Sequence, residues 1–191
     1  NLEGVGKRGG EFIESQLATA ASDPELVRST VEEIVRLGSD RKSWLVFSSG
    51  VNHANMLADE FEAHDIAVGV VTGTDSDKVR EKTIADFKSG ELRCLINVNV
   101  LTTGFDHPPV DLVALVRATA STGLYVQMVG RGTRIADGKE NCLILDYGQN
   151  VERHGFIDQV KPKDKMSSGD GVAPTKQCEK CQTMVHAACQ I

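Results

Sequence analysis

The chain has 191 residues, 40% of them hydrophobic and 25% charged, with a formal net charge of −6. That is enough for one sizeable core and a small appendage, and it argues against a protein that coats nucleic acid through a generally basic surface. No apolar run reaches the roughly 18 residues of a membrane-spanning helix, and the opening NLEGVGKRGGEF has no apolar h-region of a signal peptide. The expectation is therefore an intracellular, cytoplasmic chain with no membrane partner, and the lack of an initial Met is expected of a piece of a longer protein.

In chain order, FIESQLATAA suggests a short helix. The stretch SDPELVRSTVEEIVRLGSD has clear helix punctuation: Asp23 as N-cap, Pro24 at the first turn, an apolar stripe of Val27, Val31, Ile34 and Val35, and Gly38 as a stop. From Trp44 onward, short apolar strands alternate with amphipathic helices. The strands are expected at 44–48, 66–72, 93–98, 111–117 and 141–148. Helices are expected at 53–64, after Asp75 with Val79, Thr83, Ile84 and Phe87 on one side, and around Gln127. Continuous apolar strands alternating with helices indicate an α/β fold with a parallel sheet covered on both faces. The division expected is an N-terminal linker and helix (1–42), a main domain (43–160), a polar Gly/Pro/Ser-bearing linker (161–176) and a Cys/His tail (177–191).

In open parallel sheets, ligands bind beyond the carboxyl ends of the strands. The loops there carry Ser48, Ser49 and Asn52, then Thr72, Gly73 and Thr74, then Thr102, Thr103, Gly104 and Asp106. Hydroxyls, glycines and helix N-termini are the usual groups for holding a nucleic-acid backbone, although each loop alone is also ordinary turn chemistry. The segment QMVGRGTR (127–134) places Gln127, Arg131 and Arg134 at i, i+4 and i+7, so a continuous helix would put them on one face. Two permanent cations converging with an amide suit phosphate.

From Trp44 to Gly148 the chain resembles the C-terminal RecA-like domain of superfamily 2 helicases, a P-loop NTPase-type fold. WLVFSSG resembles motif IV, the stretch ending VNVLTTGFDHP resembles motif V, and QMVGRGTR fits the motif VI pattern Q-x-x-G-R-x-x-R. The resemblance implies that Arg131 and Arg134 are arginine fingers on the ATP γ-phosphate, and that Gln127 contacts that phosphate or positions the attacking water. It implies that Asp106 binds the nucleotide ribose, and that Gly104 allows close backbone approach. Thr102 or Thr103, with Ser48 or Ser49, would touch the nucleic-acid backbone, joined by the Thr72–Gly73 loop.

No Walker A loop and no acidic metal-binding box occurs in these residues. ATP with Mg²⁺ would thus be shared with an N-terminal RecA-like lobe, and this chain alone would be inactive. Gln127-Met128 stand where DEAD-box RNA helicases usually have His-Arg, which tilts the nucleic acid toward DNA. The glycines of GVGKRG (4–9) follow no strand and are not a dinucleotide fingerprint. A non-catalytic nucleotide- or nucleic-acid-binding module and a Rossmann-type oxidoreductase are the alternatives.

The tail holds Cys178, Cys181, His186 and Cys189, four soft ligands suited to tetrahedral Zn²⁺. A complete four-ligand site, half of a zinc ribbon, and a tail with free thiols all remain open on spacing alone.

Overall fold

The computed structural model describes residues 5–100, 105–160, 175–177 and 184–186. The expected strands appear as β3 (Trp44–Ser48), β4 (Val68–Val71), β5 (Cys94–Asn97), β6 (Leu112–Val116) and β7 (Leu143–Asp146). Ahead of them, β1 (Lys7–Arg8) and β2 (Glu11–Phe12) form a small antiparallel hairpin, with Gly9 and Gly10 at φ of 60° and 84° in its turn. Only such positive φ values close a two-residue hairpin of this kind without strain. The five long strands make one parallel sheet in the order β4-β5-β3-β6-β7.

Period-two alternation divides the sheet's side chains between two half-cores. Trp44, Val46, Cys94, Ile96, Leu112 and Ala114 face α2 (Pro24–Leu37) and α3 (Val51–Ala63), meeting Val27, Val31, Ile34, Leu57 and Phe61. Leu45, Phe47, Leu95, Val113 and Leu115 face α4 (Asp77–Ser89) and α5 (Thr122–Val129), meeting Phe87, Tyr125, Met128 and Val129. Burial on both faces is why the strands read as unbroken apolar runs. Helix α2, which the sequence assigns to a region ahead of the main domain, contributes fully to the first half-core, and residues 1–160 form one compact unit. The short helices α1 (Glu14–Ala21) and α6 (Asn150–His154) complete that unit.

Local chemistry accounts for the helix ends. The Asp23 carboxylate accepts from Glu25 N at 2.9 Å and Leu26 N at 3.3 Å, with Pro24 in the first turn. Ser76 caps α4, and Gly90 ends it at φ 86°. Gly38 ends α2 at φ −93°, so it is not there for a left-handed turn. A Cβ at Gly38 would sit 2.6 Å from Leu112 Cδ1 and 3.0 Å from Trp44 Cζ2, so close packing demands the glycine. Val79, expected on the inner side of α4, is 54% exposed. Ser76 fixes the helix start, and the rotation that buries Phe87 leaves Val79 in solvent.

Residues 161–191 form a separate unit. Within it, β8 (Thr175–Gln177) pairs antiparallel with β9 (Met184–His186). Cys178, Cys181, Cys189 and the side chain of His186 lie outside the described residues, so the expected zinc-ribbon tail has no support here. Among the described residues no group of three or more His, Cys, Asp or Glu is placed to hold a metal. No described helix is long and apolar enough to cross a membrane.

Gly38→Ala is expected to destabilise the fold by ~1–3 kcal/mol through overpacking against Leu112 and Trp44. Gly73→Ala, where an added Cβ meets nothing within 4 Å, should stay within about 0.5 kcal/mol. Urea unfolding midpoints of the two variants check the pair.

Candidate active site

Helix α5 starts beyond the carboxyl end of β6 and runs back along the sheet. Ser121 caps it, its hydroxyl accepting from Leu124 N at 3.2 Å. Tyr125, Met128 and Val129 turn inward, while Gln127 projects into solvent from the last turn. The helix stops at Val129, and this corrects the expectation of one shared helical face for Gln127, Arg131 and Arg134. Arg131 N bonds Met128 O at 3.3 Å and Gly132 N bonds Val129 O at 2.9 Å, so the backbone tightens into a turn just where the arginines begin. Gly132 permits that turn to lie flat on the sheet, since a Cβ there would come 2.9 Å from Val113 Cγ2 and collide with Cys142.

The turn brings Arg131, Arg134 and Asp106 together. Arg131 is buried and donates through Nη1 to Phe105 O at 2.6 Å. Arg134 pairs with the Asp106 carboxylate, and the two side chains are 38% and 70% exposed. Burial and the neighbouring Arg134 cation both press the Arg131 guanidinium below its usual pKa, with Asp106 opposing. It stays protonated at neutral pH, as arginine does. Lys139 lies against the same turn, its Nζ donating to Gly132 O at 2.7 Å, Arg134 O at 2.8 Å and Pro108 O at 3.0 Å. Beside Asp106, the His107 imidazole is held below its usual pKa by burial first and then by the cations Lys88 and Lys139, with Asp106 opposing. A chain of net charge −6 therefore gathers cations around one carboxylate here, an arrangement suited to a further anion.

The hydroxyl rim is a different place. Ser48 and Ser49 are both buried, and their hydroxyls face inward. Ser48 Oγ lies 3.2 Å from Gly50 O and 3.1 Å from His53 Nδ1, and Ser49 Oγ donates to Val116 O at 3.1 Å. Ser49 N donates to His53 Nδ1 at 3.3 Å, which makes that nitrogen an acceptor and the ring neutral. Thr72 is buried too, sharing a 2.9 Å hydroxyl contact with Thr74, while Gly73 is exposed at the loop tip. Thr102, Thr103 and Gly104 lie outside the described residues. Ser49 is anchored at Val116, whereas the arginine turn sits on Val113. The two places are thus separated by roughly 10 Å along β6, at ~3.3 Å per strand residue.

Three supporting groups escape a reading of the sequence. Lys139 stands in an ordinary polar turn, and its three carbonyl partners come from two segments. Asn150 is fully buried, accepting from Thr119 N at 2.9 Å and donating to Arg117 O at 2.9 Å and to the Asp146 carboxylate at 2.8 Å. The Glu11 carboxylate accepts from the backbone at the start of α5. Each acts across a long stretch of chain, and no local spacing announces it.

Residues 27–136 match the model of the helicase conserved C-terminal domain. Over 115 residues the chain is 38% identical to irc3 of Schizosaccharomyces pombe, named as a mitochondrial ATP-dependent helicase, an overlap of 60% of this chain and 19% of that protein. The chain thus spans about a fifth of that relative's length. A solved structure of the Mycobacterium smegmatis helicase Lhr, bound to single-stranded DNA and AMP-PNP, superposes with a TM-score of 0.55 at 28% identity, over 64% of this chain and 17% of that one. Domain 2 of the DEAD-box helicase Mss116p, bound to an RNA duplex, shares the fold with a TM-score of 0.55 at 19% identity, over 70% and 57% of the two chains.

Burial holds the His53 imidazole down to a pKa of about 4 from its ordinary 6.5. The unfolded chain takes up a proton below 6.5 that the folded chain refuses, so this stability is present in full above pH 6.5 and is lost as pH falls toward 4. The loss is on the order of 2–3 kcal/mol. Urea unfolding at pH 7.5 and pH 4.5 should show it as an excess slope that His53→Gln removes.

Proposed function

Because the chain belongs to the family of helicase conserved C-terminal domains, we propose that it is the second motor lobe of an ATP-dependent helicase or translocase. The observation that carries this reading is the arginine turn, with Arg131 seated under Phe105 and Arg134 presented beside Asp106. Phosphoryl transfer spreads negative charge over the γ-phosphate oxygens, and an arginine supplied from a second body stabilises it. Arg134 is the more accessible finger, and Arg131 braces the turn while facing the same charge. The exposed Arg134–Asp106 pair is worth only about 0–1 kcal/mol, so exchanging it for a phosphate costs little. That exchange frees Asp106 for a nucleotide ribose, and Gln127 is exposed to order the attacking water. The P-loop and the residues that hold Mg²⁺ belong to a preceding lobe, and closure of the cleft brings the two halves together.

Nucleic acid runs across the carboxyl rim of the sheet. With the Ser48 and Ser49 hydroxyls turned inward, the groups presented to a backbone are the open Gly73 and the N-terminus of α3. That helix begins at Val51 without a side-chain cap, so its first N–H groups are available to phosphate. Gln127 and Met128 at the start of the arginine motif favour DNA, and the Mycobacterium smegmatis relative was solved on single-stranded DNA. Thr102 and Thr103 belong to this contact by motif alone.

The tail supplies a zinc site in this reading. Gln177 pairs with Met184 in the β8–β9 hairpin, so the two strands bracket the segment that contains Cys178 and Cys181. Cys178 and Cys181, with His186 and Cys189, offer the donor set that zinc prefers.

Three measurements test these assignments. In a protein that carries both lobes, Arg134→Ala should lower ATP turnover by ~10³-fold or more without changing the circular dichroism spectrum, while the 191-residue chain alone should release no phosphate above background. Retained turnover in Arg134→Ala, or brisk turnover by the chain alone, would count against the finger assignment. Metal analysis of the purified chain should find one zinc per chain, lost in Cys178→Ser; a content near zero in both excludes the site.

A further inference from the structure

Glu11 sits in the hairpin ahead of the core, more than a hundred residues from the helix it serves. Its Oε1 accepts from Ala120 N at 2.7 Å and from Phe12 N at 2.8 Å, and its Oε2 accepts from Ser121 N at 3.2 Å and from the Thr119 hydroxyl. Ser121 is the N-cap of α5, so the carboxylate lies on backbone donors at the positive end of that helix. The surroundings fix Thr119 from the other side as well. Thr119 is fully buried, its N–H bonded to Asn150 and its carbonyl accepting from His154 Nε2 at 2.8 Å and Arg153 Nη1 at 3.3 Å. Arg153 also stands over the Phe12 ring, 5.2 Å from its centroid. Burial alone would raise the Glu11 pKa, but the hydrogen bonds from Thr119, Ala120, Phe12 and Ser121 hold it below the usual carboxylate value, so it is charged at neutral pH.

Helix α5 runs eight residues from this anchor, about 12 Å of rigid rod, and opens directly into the turn that carries Arg131 and Arg134. Its inner face is locked by Tyr125, Met128 and Val129 in the half-core. The rod thus has one end on Glu11 and the other on the arginines. We propose that Glu11 is a positioning residue for the arginine turn, tying the segment N-terminal to the core to the helix that aims the fingers. The proposal rests on the motor-lobe reading, in which the preceding lobe connects through this segment. Movement of that lobe then pulls on the hairpin, and Glu11 passes the displacement to the start of α5. A shift of about 1 Å in a positioned catalytic group is enough to change rates by ~100-fold.

The test uses a protein carrying both lobes, with Glu11→Gln, Glu11→Asp and Arg134→Ala made in parallel. Glutamine keeps the shape but removes the charge and offers one carbonyl oxygen in place of two carboxylate oxygens. The readouts are kcat and KM for ATP, affinity for ADP with and without aluminium fluoride as the transition-state mimic, and the urea unfolding midpoint. Glu11→Gln should lower kcat by ~10–100-fold, with KM and affinity for ADP alone unchanged within about twofold. Affinity for the ADP–aluminium fluoride complex should fall in step with kcat, and Glu11→Asp should recover part of both. An unchanged kcat in Glu11→Gln overturns the proposal. So does a loss of kcat accounted for by a lower folded fraction, which would leave Glu11 a structural cap only. If Arg134→Ala turns over ATP as fast as the unaltered protein, the motor-lobe reading fails and takes this proposal with it; if Arg134→Ala is inactive and Glu11→Gln is not impaired, only the proposal fails.

Discussion

Strand β3 is hydrogen-bonded on both edges, to β5 and β6, and covered by helices on both faces. Nothing polar can stand on it until its last residue, because an unpaired polar group there would lose its water without gaining a partner. Trp44, Leu45, Val46 and Phe47 comply, and Ser48 comes at the end with its hydroxyl satisfied by Gly50. The same constraint passes outward to β5 and β6. Chemistry is thereby expelled from the sheet to its carboxyl rim and to the connections that pack against its flanks. The rim is the expected location in a parallel sheet; the flank is where the arginines are.

On that flank, backbone carbonyls hold Lys139 and Arg131, and a carboxylate holds Arg134. Lys139 bonds three carbonyls, and carbonyls satisfy its donors while leaving its charge in place. Arg131 likewise takes a carbonyl from Phe105. Asp106 is the carboxylate that pairs in the cluster, and it does so with the exposed Arg134. The turn thus combines neutral carbonyl acceptors at Lys139 and Arg131 with one exposed ion pair at Arg134. The glycines serve the geometry, Gly132 by letting the turn approach Val113 and Cys142.

The rim shows a division of labour that spacing alone does not reveal. Ser48, Ser49 and Thr72 lie at the strand ends where their spacing places them, yet their side chains stabilise the loops instead of facing outward. The neutral His53 imidazole, buried between Ser48 and Ser49, completes that arrangement. What the rim offers outward is backbone, at Gly73 and at the start of α3.

The alternation of strands and helices from Trp44 to Asp146, the two-faced burial of the sheet and the Asp23 cap were determined by the sequence, because each depends on neighbours a few residues apart. Period-two and helical spacing, cap chemistry and glycine at turns act locally and can be read locally. Three things were decided only in three dimensions. Helix α5 ends before Arg131, since the turn must drop onto Val113 and Cys142, so periodicity alone misplaces the arginines. Gly38 is required by the packing of Leu112 and Trp44, not by its own φ. Glu11, Lys139 and Asn150 take partners that lie in other segments, with Glu11 reaching more than a hundred residues along the chain. A side chain's hydrogen-bonding capacity is written in its identity, but its partner is chosen by which backbone groups the folded sheet leaves unsatisfied beside it.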